Sequence, residues 1–277
     1  MTDLVSTILP EIRKHRLPGL NLDGGDLKHN GFIYPNYAGK SILNIPASVC
    51  QLLGVPPIAG QPLDPALIQP LGDGIRHVIL VLMDALALHR LQRWIADGTT
   101  PIWGELTRQG LLAPLTSITP STTSAALTAL WSGRSAAEHG ITGYEMWMKE
   151  YGMVVNTILH SAMSFRGDVG GLERAGFDPE KAIPYSTMGT HLKKHGIKTY
   201  ALQHASILRS GLSRMLFKDV EAQAFNTAAD LWINLRLLLQ EKYAEPSYTW
   251  IYWSEVDHFS HFYGPDDERT VEEFAIF

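Results

Sequence analysis

The chain holds a single cysteine, Cys50, in 277 residues. No disulfide can form within it, so stability rests on a packed core, and the expected setting is a reducing, cytoplasmic one. It lacks a signal-peptide pattern: Met1 to Pro10 carries Asp3 and scattered apolar residues, without a basic head and an apolar body. No apolar run approaches the roughly 18–20 residues that a membrane-spanning helix needs. The longest, Val78 to Met83, is strand-sized. Basic runs are missing too, and a net charge of -5 argues against a surface for nucleic acid or anionic lipid. Charged residues make up only 18% of the chain against 45% hydrophobic ones, a balance that excludes intrinsic disorder. Internal repeats and low-complexity tracts are absent, and the length suits one large α/β domain better than two small ones.

What is present divides at about residue 76. Residues 1–75 are rich in turn signals, at Pro18-Gly19, Asp23-Gly24-Gly25, Pro35-Asn36 and Pro56-Pro57, with one short helix expected from Ala47 to Leu53 and closed by Gly54. This stretch reads as an N-terminal extension lying on a domain formed by residues 76–277. From His77 to Met83 the residues are continuously apolar or β-branched, the pattern of a strand buried on both faces of a parallel sheet. A helix with Leu88, Leu91 and Ile95 on one face follows, stopped by Gly98. A second apolar stretch, Leu111 to Ile118, leads into an Ala/Leu-rich helix that ends near Gly133. Further on, a helix closes at Gly196, a strand spans Lys198 to Leu202, and Thr227 with Asp230 has capping-box spacing before a stripe of Leu231, Leu235, Leu238 and Leu239. Tyr248 to Tyr252 is a last strand. This alternation predicts an α/β fold, a mostly parallel sheet with helices on both faces.

Three features carry chemistry, each at the carboxyl end of an expected strand, where open parallel sheets place ligands. Asp84 ends an apolar strand, and a buried carboxylate there needs a cation or a partner; capping the turn at Ala85 is the plainer alternative. Pro120-Ser121-Thr122-Thr123 runs into a helix, so a threonine hydroxyl would sit at the positive end of the dipole beside free N–H groups. That geometry suits a nucleophile attacking phosphorus, although Ser and Thr there also act as simple caps. Asp257 and His261 stand four apart, which on a helix brings a carboxylate and an imidazole onto one face. The pair suits zinc, or else a polar surface cluster. His258, beside Asp257, would point elsewhere.

Taken in order, these features resemble the type I phosphodiesterase and nucleotide pyrophosphatase branch of the alkaline phosphatase superfamily. The likeness rests on the strand ending in Asp84, on Thr123 preceding Gly133 by ten residues, on Glu138-His139-Gly140-Ile141, and on Asp257, His261 and Tyr263-Gly264-Pro265. It implies an alkaline-phosphatase-like core and a metal-dependent phosphoester hydrolase acting through a phosphothreonine intermediate. Thr123 would be the nucleophile, with Thr122 its rival one residue away. Two divalent ions, expected to be zinc, would be held by Asp84 with Thr123 and by Asp257 with His261. The partner implied is a small phosphoester. His139 would order the loop after the nucleophile helix, while His15, His29, His160 and His204 match nothing in the pattern.

Two departures qualify the resemblance. Tyr144 stands about where nucleotide-cleaving members carry an Asn that contacts the phosphoryl group, which leaves the substrate open. The family's Asp-His-Gly motif and last His are missing, since Asp257-His258 is followed by Phe259, and the chain ends sixteen residues beyond His261. The expectation is a catalytic domain truncated at its C-terminus, short of metal ligands and without turnover on its own. A non-catalytic phosphate- or nucleotide-binding member is the alternative from another class. A phosphoryl transferase on the same core lacks the membrane anchor usual for such enzymes, and a sulfatase lacks its Cys- or Ser-x-Pro-x-Arg segment.

Overall fold

The structure is a computed structural model that describes residues 2–17, 33–164 and 168–277. The turns expected at Pro18-Gly19 and Asp23-Gly24-Gly25, and His29, lie outside the described residues. In chain order the main elements are α1 (Val5–Lys14), α2 (Ile45–Leu52), β1 (His77–Met83), α3 (Leu88–Ala96), α4 (Pro101–Gln109) and α5 (Thr123–Ser132). There follow β2 (Glu145–Met148), β3 (Met153–Asn156), β4 (Ser161–Ala162), α6 (Met188–Lys194), β5 (Lys198–His204), α7 (Gly211–Leu216) and β6 (Glu221–Phe225). The last elements are α8 (Ala228–Lys242), β7 (Ser247–Trp253), α9 (Glu255–Tyr263) and α10 (Glu268–Ile276).

Among the described residues the main sheet has four parallel strands in the order β1-β7-β5-β6. Seven successive residues of β7, Ser247 to Trp253, are buried, as expected of a strand paired on both sides and covered on both faces. Side chains alternate strictly between those faces. Val78, Leu80 and Leu82 of β1 and Tyr248, Trp250 and Tyr252 of β7 pack with Trp131 of α5, Leu192 of α6 and Leu216 of α7. Val81, Met83, Ile251 and Trp253 pack on the other face with Trp94 of α3, Leu231 and Leu235 of α8 and Phe274 of α10. The expectation of an α/β layer structure with a parallel sheet and helices on both faces is met.

One detail differs. The apolar run His77–Met83 is expected to be buried on both faces, yet among the described residues β1 lies at the sheet edge, paired only with β7, and Ile79 is 40% exposed. A continuous apolar run cannot distinguish a central strand from an edge strand, because lateral pairing leaves no mark on side-chain periodicity. The stretch Leu111 to Ile118 stays outside the main sheet: Leu111–Leu112 pairs with Thr2–Asp3, and Thr116 forms a parallel bridge with Ser41. A small antiparallel sheet, β2-β3-β4, follows α5 and is not foreseen in the sequence pattern.

Residues ahead of β1 pack closely on these layers. Val49 and Cys50 of α2 share a cluster with Trp131 and Leu130, and Ile8 and Ile12 of α1 pack against Leu67. Tyr37 Oη accepts a hydrogen bond from Thr119 N at 3.0 Å, and Ile42 N donates to Thr116 O at 3.0 Å. The segment leading into α5 is thereby pinned from the N-terminal side.

Candidate active site

Thr123 is the first residue of α5 and Thr122 its cap residue, whose side chain makes no capping hydrogen bond. The free N–H groups of the first turn therefore remain beside the Thr123 hydroxyl. One contact fixes this turn: Thr157 Oγ1 donates to Ser124 Oγ at 2.6 Å. At the far end of the helix Gly133, in the left-handed region at φ 66°, closes it. Leu127, Leu130 and Trp131 bury its inner face.

Asp84 follows β1 directly, its N–H donating to Trp253 O at 3.0 Å. Its two carboxylate oxygens have different tasks. Oδ1 accepts from Ala85 N at 2.9 Å, the turn-capping bond. Oδ2 accepts from Thr123 Oγ1 at 3.2 Å and from Tyr252 Oη at 2.6 Å. One oxygen of Asp84 thus makes the turn-capping bond, while the other is shared by Thr123 and Tyr252. Ala85 has φ 58°, a left-handed conformation that costs an L-residue about 1–2 kcal/mol, and such strain gathers where surrounding structure holds a functional group in place.

Tyr252 is a site residue that sequence reasoning passes over as core. It is 4% exposed, and burial, with the Asp84 charge second, pushes its phenol pKa well up. It therefore stays protonated and serves as a fixed donor to Asp84. Its signal in sequence was weak: a tyrosine close to the carboxyl end of a strand whose neighbour ends in Asp.

Asp257 and His261 share a face of α9, with His261 Nε2 at 3.6 Å from Asp257 Oδ2. The local spacing foretells this pair. Asp257 is half-buried, at 32% side-chain exposure, whereas His261 is 77% exposed. The Asp257 carboxyl pKa is raised by burial first and by the Asp84 charge second, with His261 and His258 opposing. The two aspartates consequently share one electrostatic neighbourhood. Thr122, Thr123, Asp257 and His261 all line one cavity, and Asp84 meets that cavity through Thr123 and Tyr252.

Other side chains stand around the cavity or behind it. His258 packs against the Phe262 ring at 4.9 Å yet also lines the cavity, so it does not point away from the site. Tyr144 lines the same cavity and accepts from Asn156 Nδ2 at 2.6 Å. His204 is in the cavity wall, its Nδ1 at 2.7 Å from Ser206 Oγ. His139 is buried behind α5, its Nδ1 accepting from Ile141 N at 3.0 Å, and burial lowers its pKa to about 4. That placement matches a loop-ordering residue.

Carboxylate, hydroxyl and imidazole donors suit a divalent cation in kind. In number they fall short: among the described residues no group of three or more His, Cys, Asp and Glu side chains comes together. The chain offers two donor pairs, Asp84 with Thr123 and Asp257 with His261.

Comparison with known proteins bears on this arrangement. Residues 78–275 match the model of the family described as type I phosphodiesterase / nucleotide pyrophosphatase. No curated protein matches the chain. Two solved structures are similar to it, both of phosphonoacetate hydrolase from Sinorhizobium meliloti 1021, one with phosphonoacetate and one with phosphonoformate. They are 15% and 17% identical, each match covering 72% of this chain and 50% of the other at a TM-score of 0.45. The chain thus spans about half the length of those structures. With the family pattern running through well over half of its residues, from β1 to α10, the chain belongs to the type I phosphodiesterase / nucleotide pyrophosphatase family.

Proposed function

We propose that the cavity at Thr123 is the phosphoryl-transfer centre of a metal-dependent phosphoester hydrolase. The observation that carries this reading is the 3.2 Å hydrogen bond from Thr123 Oγ1 to Asp84 Oδ2, made at the start of a helix. The catalytic unit is residues 76–277, with the described residues ahead of it an extension lying on it, and the single buried Cys50 suits a reducing cytoplasm. The substrate is a small phosphoester, and no helix among the described residues is long and apolar enough to cross a membrane.

In this reading Thr123 Oγ1 gives its proton to Asp84 Oδ2 and bonds to phosphorus, in line with the ester oxygen opposite. The phosphorus–oxygen bond to the leaving group breaks, and the leaving alkoxide takes a proton from solvent. Water then attacks the phosphothreonine, restores the threonine hydroxyl and releases the phosphate, while Asp84 returns its proton to solvent. Tyr252 holds the Asp84 oxygen that receives the proton, and the first-turn N–H groups of α5 face the phosphoryl oxygens. Divalent ions held by Asp84 with Thr123 and by Asp257 with His261, zinc being the expected metal, would supply charge that favours the threonine alkoxide and offsets the phosphoryl group.

The test is release of p-nitrophenol from p-nitrophenyl mono- and diesters, at a large excess of zinc, by a version of the protein extended with a segment that carries Asp-His-Gly and a further His. Thr123→Ala should abolish release while the fold is retained, and Thr122→Ala should keep most of it. A reversed result moves the nucleophile by one residue. No release from that extended protein at any zinc concentration would favour the second reading, a non-catalytic phosphate- or nucleotide-binding protein, which the shortage of metal donors supports.

A further inference from the structure

The cavity that holds Thr123 has a volume of about 840 Å³, ample for a small-molecule site and far more than a phosphoryl group fills. Away from Thr123 its walls are mostly apolar, built from Leu127 and Trp131 of α5, Leu212 and Leu216 of α7, Ile158, and Trp250 of β7. A polar patch interrupts them, made of the buried Gln203, Ser210 and Ser213 beside Ser206 and His204. Gln203 of β5 lines the cavity and is 4% exposed.

The sheet register fixes where it stands. Gln203 pairs with Tyr252 of β7, so both side chains leave the sheet on the same face, one strand spacing or roughly 4.8 Å apart. Tyr252 is the donor to Asp84. Gln203 therefore stands one strand further from the phosphoryl centre, within the same cavity.

Its hydrogen bonds fix which way the amide points. Nε2 donates to Ser213 Oγ at 3.2 Å. Ser213 Oγ also accepts from Ser210 Oγ at 3.1 Å and gives its own proton to Ile207 O at 2.9 Å. With the serine proton committed, only the NH2 end of the amide can face Ser213. Oε1 is left as a buried acceptor with no hydrogen-bond donor among the described residues. A native protein rarely keeps such an atom without a use.

We propose that Gln203, oriented by Ser213 and Ser210, determines specificity for the substrate's leaving group. The cavity takes an uncharged ring or branched alkyl substituent that carries one hydroxyl or N–H donor, and that donor meets Gln203 Oε1. An anionic substituent is disfavoured because it would bring negative charge against the carbonyl oxygen. This deepens the hydrolase reading, on which its description as a leaving-group subsite rests.

Binding of two naphthalenes tests it: 2-naphthol, which has the donor, and 2-methoxynaphthalene, which does not. Trp131 and Trp250 line the cavity, so quenching of tryptophan fluorescence reports either ligand. The unaltered chain should bind 2-naphthol about tenfold more tightly, equivalent to about 1.4 kcal/mol. Gln203→Leu should bring the ratio close to one while retaining 2-methoxynaphthalene. Ser213→Ala, which frees the amide to turn, should narrow the ratio in part, and it serves as the test if Gln203→Leu fails to fold. Equal affinities in the unaltered chain, no binding of either ring, or a preference that survives the substitutions would overturn the proposal. Neither ligand needs Thr123 or a metal, so failure of the hydrolase reading would leave this result standing.

Discussion

Tyr252 and Thr123 donate to the same oxygen of Asp84, at 2.6 and 3.2 Å. The shorter bond comes from a buried phenol that holds its proton firmly. Asp84 is therefore held from the sheet while it faces the threonine. Tyr252→Phe should remove that hold and little else, because the ring stays in place. The expected cost is about 1.5–3 kcal/mol in urea unfolding, the range for a hydrogen bond to a charged group. Release of p-nitrophenol by the extended protein at excess zinc should fall as well. Unchanged stability together with unchanged release would reduce Tyr252 to a packing residue.

Metal affinity follows from counting donors. A catalytic zinc usually takes three protein ligands and keeps one open position, whereas this chain presents donors in pairs and gathers no group of three among the described residues. Calorimetric titration of the purified chain should give zinc affinities in the micromolar range or weaker, and Asp84→Asn and Asp257→Asn should weaken them further. Two equivalents bound at nanomolar affinity would mean that other residues complete the site.

His139 sets an acid limit. Burial depresses its pKa from 6.5 to about 4, so the folded protein resists a proton that the unfolded chain accepts. The stability contributed by the neutral ring is complete above pH 6.5 and is lost as pH falls toward 4, on the order of 3 kcal/mol over that window. His139→Gln retains an acceptor for Ile141 N but cannot titrate. Its urea midpoint should vary less between pH 6.5 and 4 than that of the unaltered chain. Identical slopes would exclude His139 as the titrating group.

Local chemistry was legible in the sequence wherever the interaction was itself local. The i, i+4 relation of Asp257 and His261, the glycine that ends α5, and the threonine cap of α8, whose Oγ1 accepts from Asp230 N at 3.1 Å, all depend on residues a few positions apart. Lateral relations were not legible. Nothing in His77–Met83 tells that β1 is an edge strand, and nothing in Tyr248–Tyr252 tells that Tyr252 stands between Leu82 and Gln203. The meeting of Asp84 with Thr123 belongs between these cases, because order and spacing suggested it through family resemblance alone. The antiparallel strands β2 to β4 are too short, at two to four residues each, for alternation to stand out from chance.

The burial of β7 carries a consequence for motion. Its amides are paired on both sides and covered on both faces, so they should exchange with deuterium only when the whole domain opens. Tyr252 lies within that strand, and Asp257 follows it by one helical turn. His261, one turn further along α9, reaches into solvent on an exposed stretch beside Phe262 and Tyr263. The two ends of the site thus belong to different regimes of fluctuation. Asp84 and Tyr252 stay registered for as long as the fold lasts, while His261 can sample several positions and settle when a ligand arrives. Much of the entropy lost on binding should then come from a single histidine turn, and protection gained there on adding zinc would be its signature in exchange data.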